Sequence, residues 1–93
     1  MMPMKSRSKI PELYKSAHRA CSHNMDVVRR SQLCGCFYCL DIYPVSEIVK
    51  WIEEEDGCFT AECPKCGVDS VIPDASGVPL NVEFLATMNK RWF

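Results

Sequence analysis

The chain has 93 residues, of which 47% are apolar and 25% charged, the balance of a single folded domain rather than a disordered chain or a pair of full domains. No apolar run nears the roughly 18 residues of a membrane-crossing helix, and Met1 to Ile10 lack the apolar stretch of a secretory signal, so a cytoplasmic protein without a membrane partner is expected. The net charge of −1 hides an uneven distribution: residues 1–31 carry seven basic and two acidic residues, whereas the remainder carries four basic and ten acidic ones.

In chain order, residues 1–9 are polar and basic without period, which predicts a flexible basic arm ahead of one domain at 10–93. From Ile10 the positions Leu13, Tyr14, Ala17, Ala20, Cys21, Met25 and Val28 recur at spacings of three and four, the stripe of an amphipathic helix to about Ser31, with Ser22-His23-Asn24 as the place where it can break. Pro11 suits its first turn. Residues 33–43 mix aromatic and branched residues with cysteines and read as a strand turning through a metal-binding loop. Ser46 can cap a helix over 46–55 that buries Ile48, Val49, Trp51 and Ile52 and stops at Gly57. Against it, Glu53, Glu54, Glu55 and Asp56 would place four negative charges at the helix end that is already negative. Residues 58–72 read as strand, cysteine loop, strand, and 74–79 as a turn. A last helix over 81–92 has Asn81 as its cap, Glu83 in its first turn, Lys90 and Arg91 in its last, and Phe84, Leu85, Met88 and Trp92 on one side.

The seven cysteines carry the chemistry. Without an export signal their clustering favours metal or redox work over structural disulfides. Cys36-Phe37-Tyr38-Cys39 and Cys63-Pro64-Lys65-Cys66 are two CxxC pairs separated by 23 residues, close to the spacing of a four-cysteine zinc site. Two intervening residues let the backbone form a knuckle that points both sulfurs at one ion, and Pro64 with Gly67 gives the second pair the CPxCG form common in zinc ribbons. Zn2+ is the expected cofactor, with iron able to adopt the same geometry. Cys34 is a fifth candidate ligand, Cys21 belongs to the helical stripe, and Cys58 packs or faces solvent.

Four thiolates leave no coordination position open for catalysis, and neither CxxC pair opens a predicted helix as a redox pair would. No catalytic residue is assigned. His18 and His23, five apart, lack the four-residue spacing of zinc proteases. Asp69, Ser70, Asp74, Ser76 and Gly77 form a polar stretch that hints at binding. Nucleic acid would be met by Lys15, Arg19, Arg29 and Arg30, with Lys5, Arg7 and Lys9 of the arm and the knuckle aromatics Phe37 and Tyr38. The seven acidic residues of 41–62 oppose that, and a protein partner accommodates both charged faces more easily.

The strings CGCFYC at 34–39, PVSEIVKWI at 44–52, CPKCGVDSVIPDASG at 63–77 and the final RWF resemble a group of small bacterial proteins described only as uncharacterised cytoplasmic proteins. The likeness covers roughly residues 16–93 and implies a compact bacterial protein that binds zinc through its cysteine knuckles, with no activity to carry over. The expected fold is therefore α+β: a zinc-ribbon-like domain with two knuckles on short antiparallel strands, flanked by three helices near 10–31, 46–55 and 81–92. The expected role is a zinc-stabilised interaction module for a protein partner. The alternatives are a nucleic-acid-binding zinc ribbon and, third, a thiol-based or small-ligand enzyme.

Overall fold

The structure, a computed structural model, describes residues 11–93. The basic arm at 1–9 and the expected helix start at Ile10 lie outside the described residues. The N-terminal helical stripe forms two helices, α1 (Glu12–Arg19) and α2 (Met25–Arg29). Pro11 precedes α1 and its carbonyl accepts the first N–H bonds, from Tyr14 and Lys15, while Glu12 and Arg19 pair across the exposed face.

The break falls at Ser22-His23-Asn24, and its cause is long-range. His23 takes a left-handed backbone angle of 53° while its N–H donates to the Thr60 hydroxyl at 2.8 Å. Asn24, at the head of α2, makes no side-chain cap of its own helix. Its buried amide instead donates to the carbonyls of Ala20 and Val71, at 3.0 and 3.1 Å, and accepts from the Ala61 N–H at 3.0 Å. The break lets Asn24 make the two long-range bonds, to Val71 and Ala61.

Strands β1 (Leu33–Cys36), β2 (Ile42–Pro44) and β5 (Val71–Pro73) form an antiparallel sheet of order β2-β1-β5, with Cys34 opposite both Tyr43 and Pro73. Strands β3 (Trp51–Glu53) and β4 (Phe59–Ala61) form a separate hairpin, registered Ile52 to Thr60. The three-stranded sheet is buried on both faces. By the alternation of strand side chains, Cys34, Cys36, Tyr43 and Val71 point toward Val28, Ile48, Ala61 and Cys63. Ile42 and Ile72 point the other way, toward Ala17, Phe84, Leu85 and Met88. Gly35 sits on that second face so closely under the final helix that an added Cβ would lie 2.9 Å from the tips of Leu80 and Leu85.

The expected helix over 46–55 is not formed. A single 3-10 turn at Val45–Glu47 is followed by extended chain and β3. The acidic run that would have opposed a helix dipole makes the hairpin turn instead: Glu54 and Cys58 close it backbone to backbone at 2.8 Å, and Gly57 takes a φ of 86°. There the negative charges find donors, Asp56 accepting from the Cys58 N–H at 3.0 Å and Glu54 from the Thr60 hydroxyl at 2.5 Å.

Helix α3 (Val82–Trp92) agrees with its sequence reading. The Asn81 side chain accepts from the Phe84 N–H at 2.8 Å, and Phe84, Leu85 and Met88 are buried, each worth about 1.5–3 kcal/mol as side chains removed from water. α1 lies alongside: Tyr14 stacks on Phe84 with centroids 5.3 Å apart, and His18 stacks on Trp92 at 4.4 Å. The described residues form a small α+β domain of three helices and short antiparallel strands, as expected, with the second helix in a different place.

Candidate metal centre

Each CxxC pair occupies a connection between strands. The first knuckle, Cys36–Cys39, links β1 to β2; the second, Cys63–Cys66, links β4 of the hairpin to β5 of the sheet. The two have the same backbone construction despite sharing little sequence. The N–H two residues past the first cysteine donates to its sulfur, from Tyr38 to Cys36 and from Lys65 to Cys63, both at 3.4 Å. The N–H four residues on returns to the first cysteine's carbonyl, from Leu40 at 2.8 Å and from Gly67 at 2.9 Å. The first cysteine's own N–H donates five residues ahead, to Asp41 at 3.0 Å and to Val68 at 2.9 Å. Closing the turn this way demands a left-handed residue after the second cysteine. Gly67 meets that at 83°; Leu40 adopts 68° although it has a Cβ.

These turns bring Cys36, Cys39, Cys63 and Cys66 together, with all four sulfurs within 4.8 Å of one another. Across the knuckles, Cys36 lies 3.7 Å from Cys66 and Cys39 3.8 Å from Cys63. Four sulfurs at about 2.3 Å from one ion in a tetrahedron would be separated by about 3.8 Å. A disulfide would need about 2.05 Å, and all the cysteines are free thiols. The four cysteines are therefore positioned to hold a metal ion. Cys36 and Cys63 are buried, Cys39 is half-buried and Cys66 is exposed, so the centre is walled by protein on one side and reaches the surface on the other.

The surroundings fit a cation bound by thiolates. The Ser70 hydroxyl lies 3.2 Å from the Cys36 sulfur. The Tyr43 hydroxyl is buried with no hydrogen-bond partner among the described residues, and it is near enough to the Cys63 sulfur to influence its ionisation. Burial works against ionisation of Cys63, yet the Tyr43 hydroxyl and the backbone of Cys66 and Lys65 outweigh it and hold the thiol down at about 7. Burial and the neighbouring sulfurs push the Tyr43 phenol far upward, keeping it a donor. Burial is also the main cause that drives Cys39 well above the thiol range and Cys66 up to about 11. A group of sulfurs that resist ionising together, yet are surrounded by donors, is one that a divalent cation would stabilise.

Further bonds fix the first knuckle to the body. The Asn89 side chain on α3 donates to the carbonyls of Phe37 and Tyr38, at 3.0 and 3.3 Å, and the Phe37 N–H donates to the Ser70 carbonyl at 3.1 Å. Lys65 of the second knuckle pairs with Glu47 at 2.9 Å.

The other candidate residues lie elsewhere. Cys34 is buried on β1 and stands outside the four-sulfur group, its thiol pushed up to about 12 by burial and then by Asp74. Two residues along a strand place it on the same face as Cys36 but about 7 Å further along. Lys15 and Arg19 lie on α1, where Arg19 is tied to Glu12; Arg29 and Arg30 are exposed at the end of α2. Lys5, Arg7 and Lys9 lie outside the described residues. His23 pairs with Asp56 at 3.2 Å.

The polar stretch after the second knuckle does structural work at its far end. Asp74 accepts from the N–H groups of Gln32 and Leu33 at 3.2 and 3.1 Å, and Ser76 donates to the Pro73 carbonyl at 2.6 Å. Sequence reasoning missed Asn24, Tyr43 and Asn89. Apart from the Ala20 carbonyl, the partners of the two asparagines are 37 to 52 residues away, and no local pattern marks them.

Comparison with family models, with curated proteins and with solved structures finds no match to this chain. Among the described residues no helix is long and apolar enough to cross a membrane.

Proposed function

We propose that the four cysteines hold one Zn2+ and that the protein is a small cytoplasmic interaction module whose partner is another protein. The observation that carries this reading is the closed set of four sulfurs delivered by two equivalent knuckles. An all-cysteine tetrahedral site suits zinc, or iron in the same geometry, and leaves no position for substrate or water, which favours a structural ion over a catalytic one.

A protein partner is favoured over nucleic acid by charge. Of the basic candidates Arg19 is paired with Glu12 while Lys15, Arg29 and Arg30 make no ion pair among the described residues, but the sequence isoelectric point near 6.1 and the seven acidic residues of 41–62 oppose a broad phosphate footprint. A phosphate backbone needs several free cations on one face.

The test is metal analysis of the purified full chain together with thermal melting before and after chelation. One zinc per chain is expected, with a steep loss of melting temperature once it is stripped. Unchanged melting after verified metal removal, or a stoichiometry of iron, overturns the reading. Salt-sensitive binding to generic DNA or RNA would replace the protein partner with nucleic acid.

A further inference from the structure

Beside the metal centre lies a cleft of about 640 Å³, within the roughly 300–1,000 Å³ typical of ligand sites. It is bounded by α1, the α1–α2 corner, the start of the first knuckle, the segment before β5 and the chain's last two residues. Aromatic rings supply much of the lining: Phe37, the His18–Trp92 stack, and Phe93, whose ring lies 5.6 Å from that of Phe37. Phe37 belongs to a knuckle and Ser70 touches the Cys36 sulfur, so the shape of the cleft depends on the metal site.

Its charges are unequal in availability. Arg19 is held by Glu12 and His23 by Asp56. Asp69 also lines the cleft, is exposed, and makes no ion pair among the described residues. Its charge is felt across the site at Cys21, where burial first and Asp69 second push the thiol up to about 11. An aromatic wall with one free carboxylate complements a cation. Among cations a guanidinium suits it best, because it is planar, weakly hydrated, stacks on rings and meets a carboxylate through paired N–H groups. A phosphate would meet an unpaired carboxylate and find Arg19 already engaged.

We propose that this cleft receives an arginine side chain of the partner protein, stacked on the Trp92 and Phe93 rings and paired with Asp69. The inference rests on the protein-partner reading above and gives that partner its chemistry.

The experiment titrates the zinc-loaded full chain, labelled with ¹⁵N, with an end-blocked Gly-Arg-Gly peptide, its Gly-Lys-Gly counterpart and a mononucleotide mixture. The Trp92 indole and the Asp69 amide are observed. Expected are saturable shifts at both with the arginine peptide, weaker binding of the lysine peptide, and about a tenfold loss of affinity in Asp69→Asn, equivalent to about 1.4 kcal/mol. No shift at millimolar peptide, equal affinity in Asp69→Asn, or tighter binding of nucleotides overturns the inference. Zinc content and melting of the same sample are measured beforehand, so failure of the metal-stabilised reading is seen there, separately from failure of the cleft to bind.

Discussion

Replacing Asn24 by alanine is expected to be among the most damaging single changes outside the cysteines. The side chain is buried and makes three bonds to backbone, all at 3.0–3.1 Å. The Ala20 carbonyl lies at a half-exposed residue and can turn to water, but the Ala61 N–H and the Val71 carbonyl belong to buried residues and would be left unpaired. Each such orphan costs about 1–3 kcal/mol, so the loss is about 2–6 kcal/mol before any cavity is counted. A domain of this size has a total stability of about 5–14 kcal/mol, and the variant would lose a large part of it. Asn24→Asp separates hydrogen bonding from volume. It keeps an acceptor for Ala61 but turns a carboxylate toward two carbonyls, so the folded state raises its pKa above the unfolded value of about 3.9. The folded variant then binds more protons than the unfolded one, and its deficit relative to wild type grows as pH rises through the folded pKa. Urea unfolding of the metal-loaded proteins provides the measurement, read as the shift in midpoint at unchanged slope. A loss below about 1 kcal/mol for Asn24→Ala, or a pH-independent deficit for Asn24→Asp, would refute the reasoning.

Tyr43→Phe removes the hydroxyl near Cys63 and leaves the packing in place, so metal affinity should fall by about 10–100-fold in a chelator competition, with affinity equal to wild type counting against the donor role. Gly67→Ala should cost about 1–2 kcal/mol from backbone strain alone, because nothing lies within 4 Å of the added Cβ. Leu40→Gly relieves the same strain in the other knuckle but gives up half-buried packing, so its unfolding midpoint should stay within about 1 kcal/mol of wild type; a large loss would show that packing outweighs the turn. Metal binding should strengthen with pH, by at least about 100-fold per unit between pH 6 and 8, because the raised Cys39 and Cys66 thiols each release a proton to the solvent as they bind and Cys63, held at about 7, releases part of a further one. A change under about tenfold per unit would mean that the sulfurs are already ionised without the ion.

What was legible in the sequence was what local chemistry dictates. Cysteines two residues apart can only share an ion if the chain turns sharply between them, and Asn81, just ahead of the apolar stripe of the last helix, is placed to cap it. The misplaced helix over 46–55 is more informative, since its own residues already argued against it. Ile48, Val49 and Ile52 are branched at Cβ, and four acidic side chains at a helix C-terminus are unfavourable. The observed path gives Ile48 and Ile52 extended backbone, the latter within the hairpin, and gives two of the acidic groups donors. The apolar spacing alone is compatible with either outcome over so short a run, and the charges were the better guide. Asn24, Tyr43 and Asn89 could not be read because each is defined by a partner distant in sequence.

The two devices that sequence reasoning treated most differently, a conspicuous cysteine set and an inconspicuous asparagine, act on the same junction. β4 and β5 are consecutive strands that do not pair; they belong to separate sheets, with the second knuckle as the chain between them. At one end of that junction the sulfurs of Cys63 and Cys66 meet those of Cys39 and Cys36, which hang from the three-stranded sheet. At the other, the Asn24 amide spans the gap left between the strands, taking the N–H of Ala61 from β4 and giving its own to Val71 of β5. The β3–β4 hairpin is the piece least able to stand alone, since an isolated two-stranded hairpin is marginal in water. A metal ion held there would do more than close a loop: it would join the two pieces of sheet into one core.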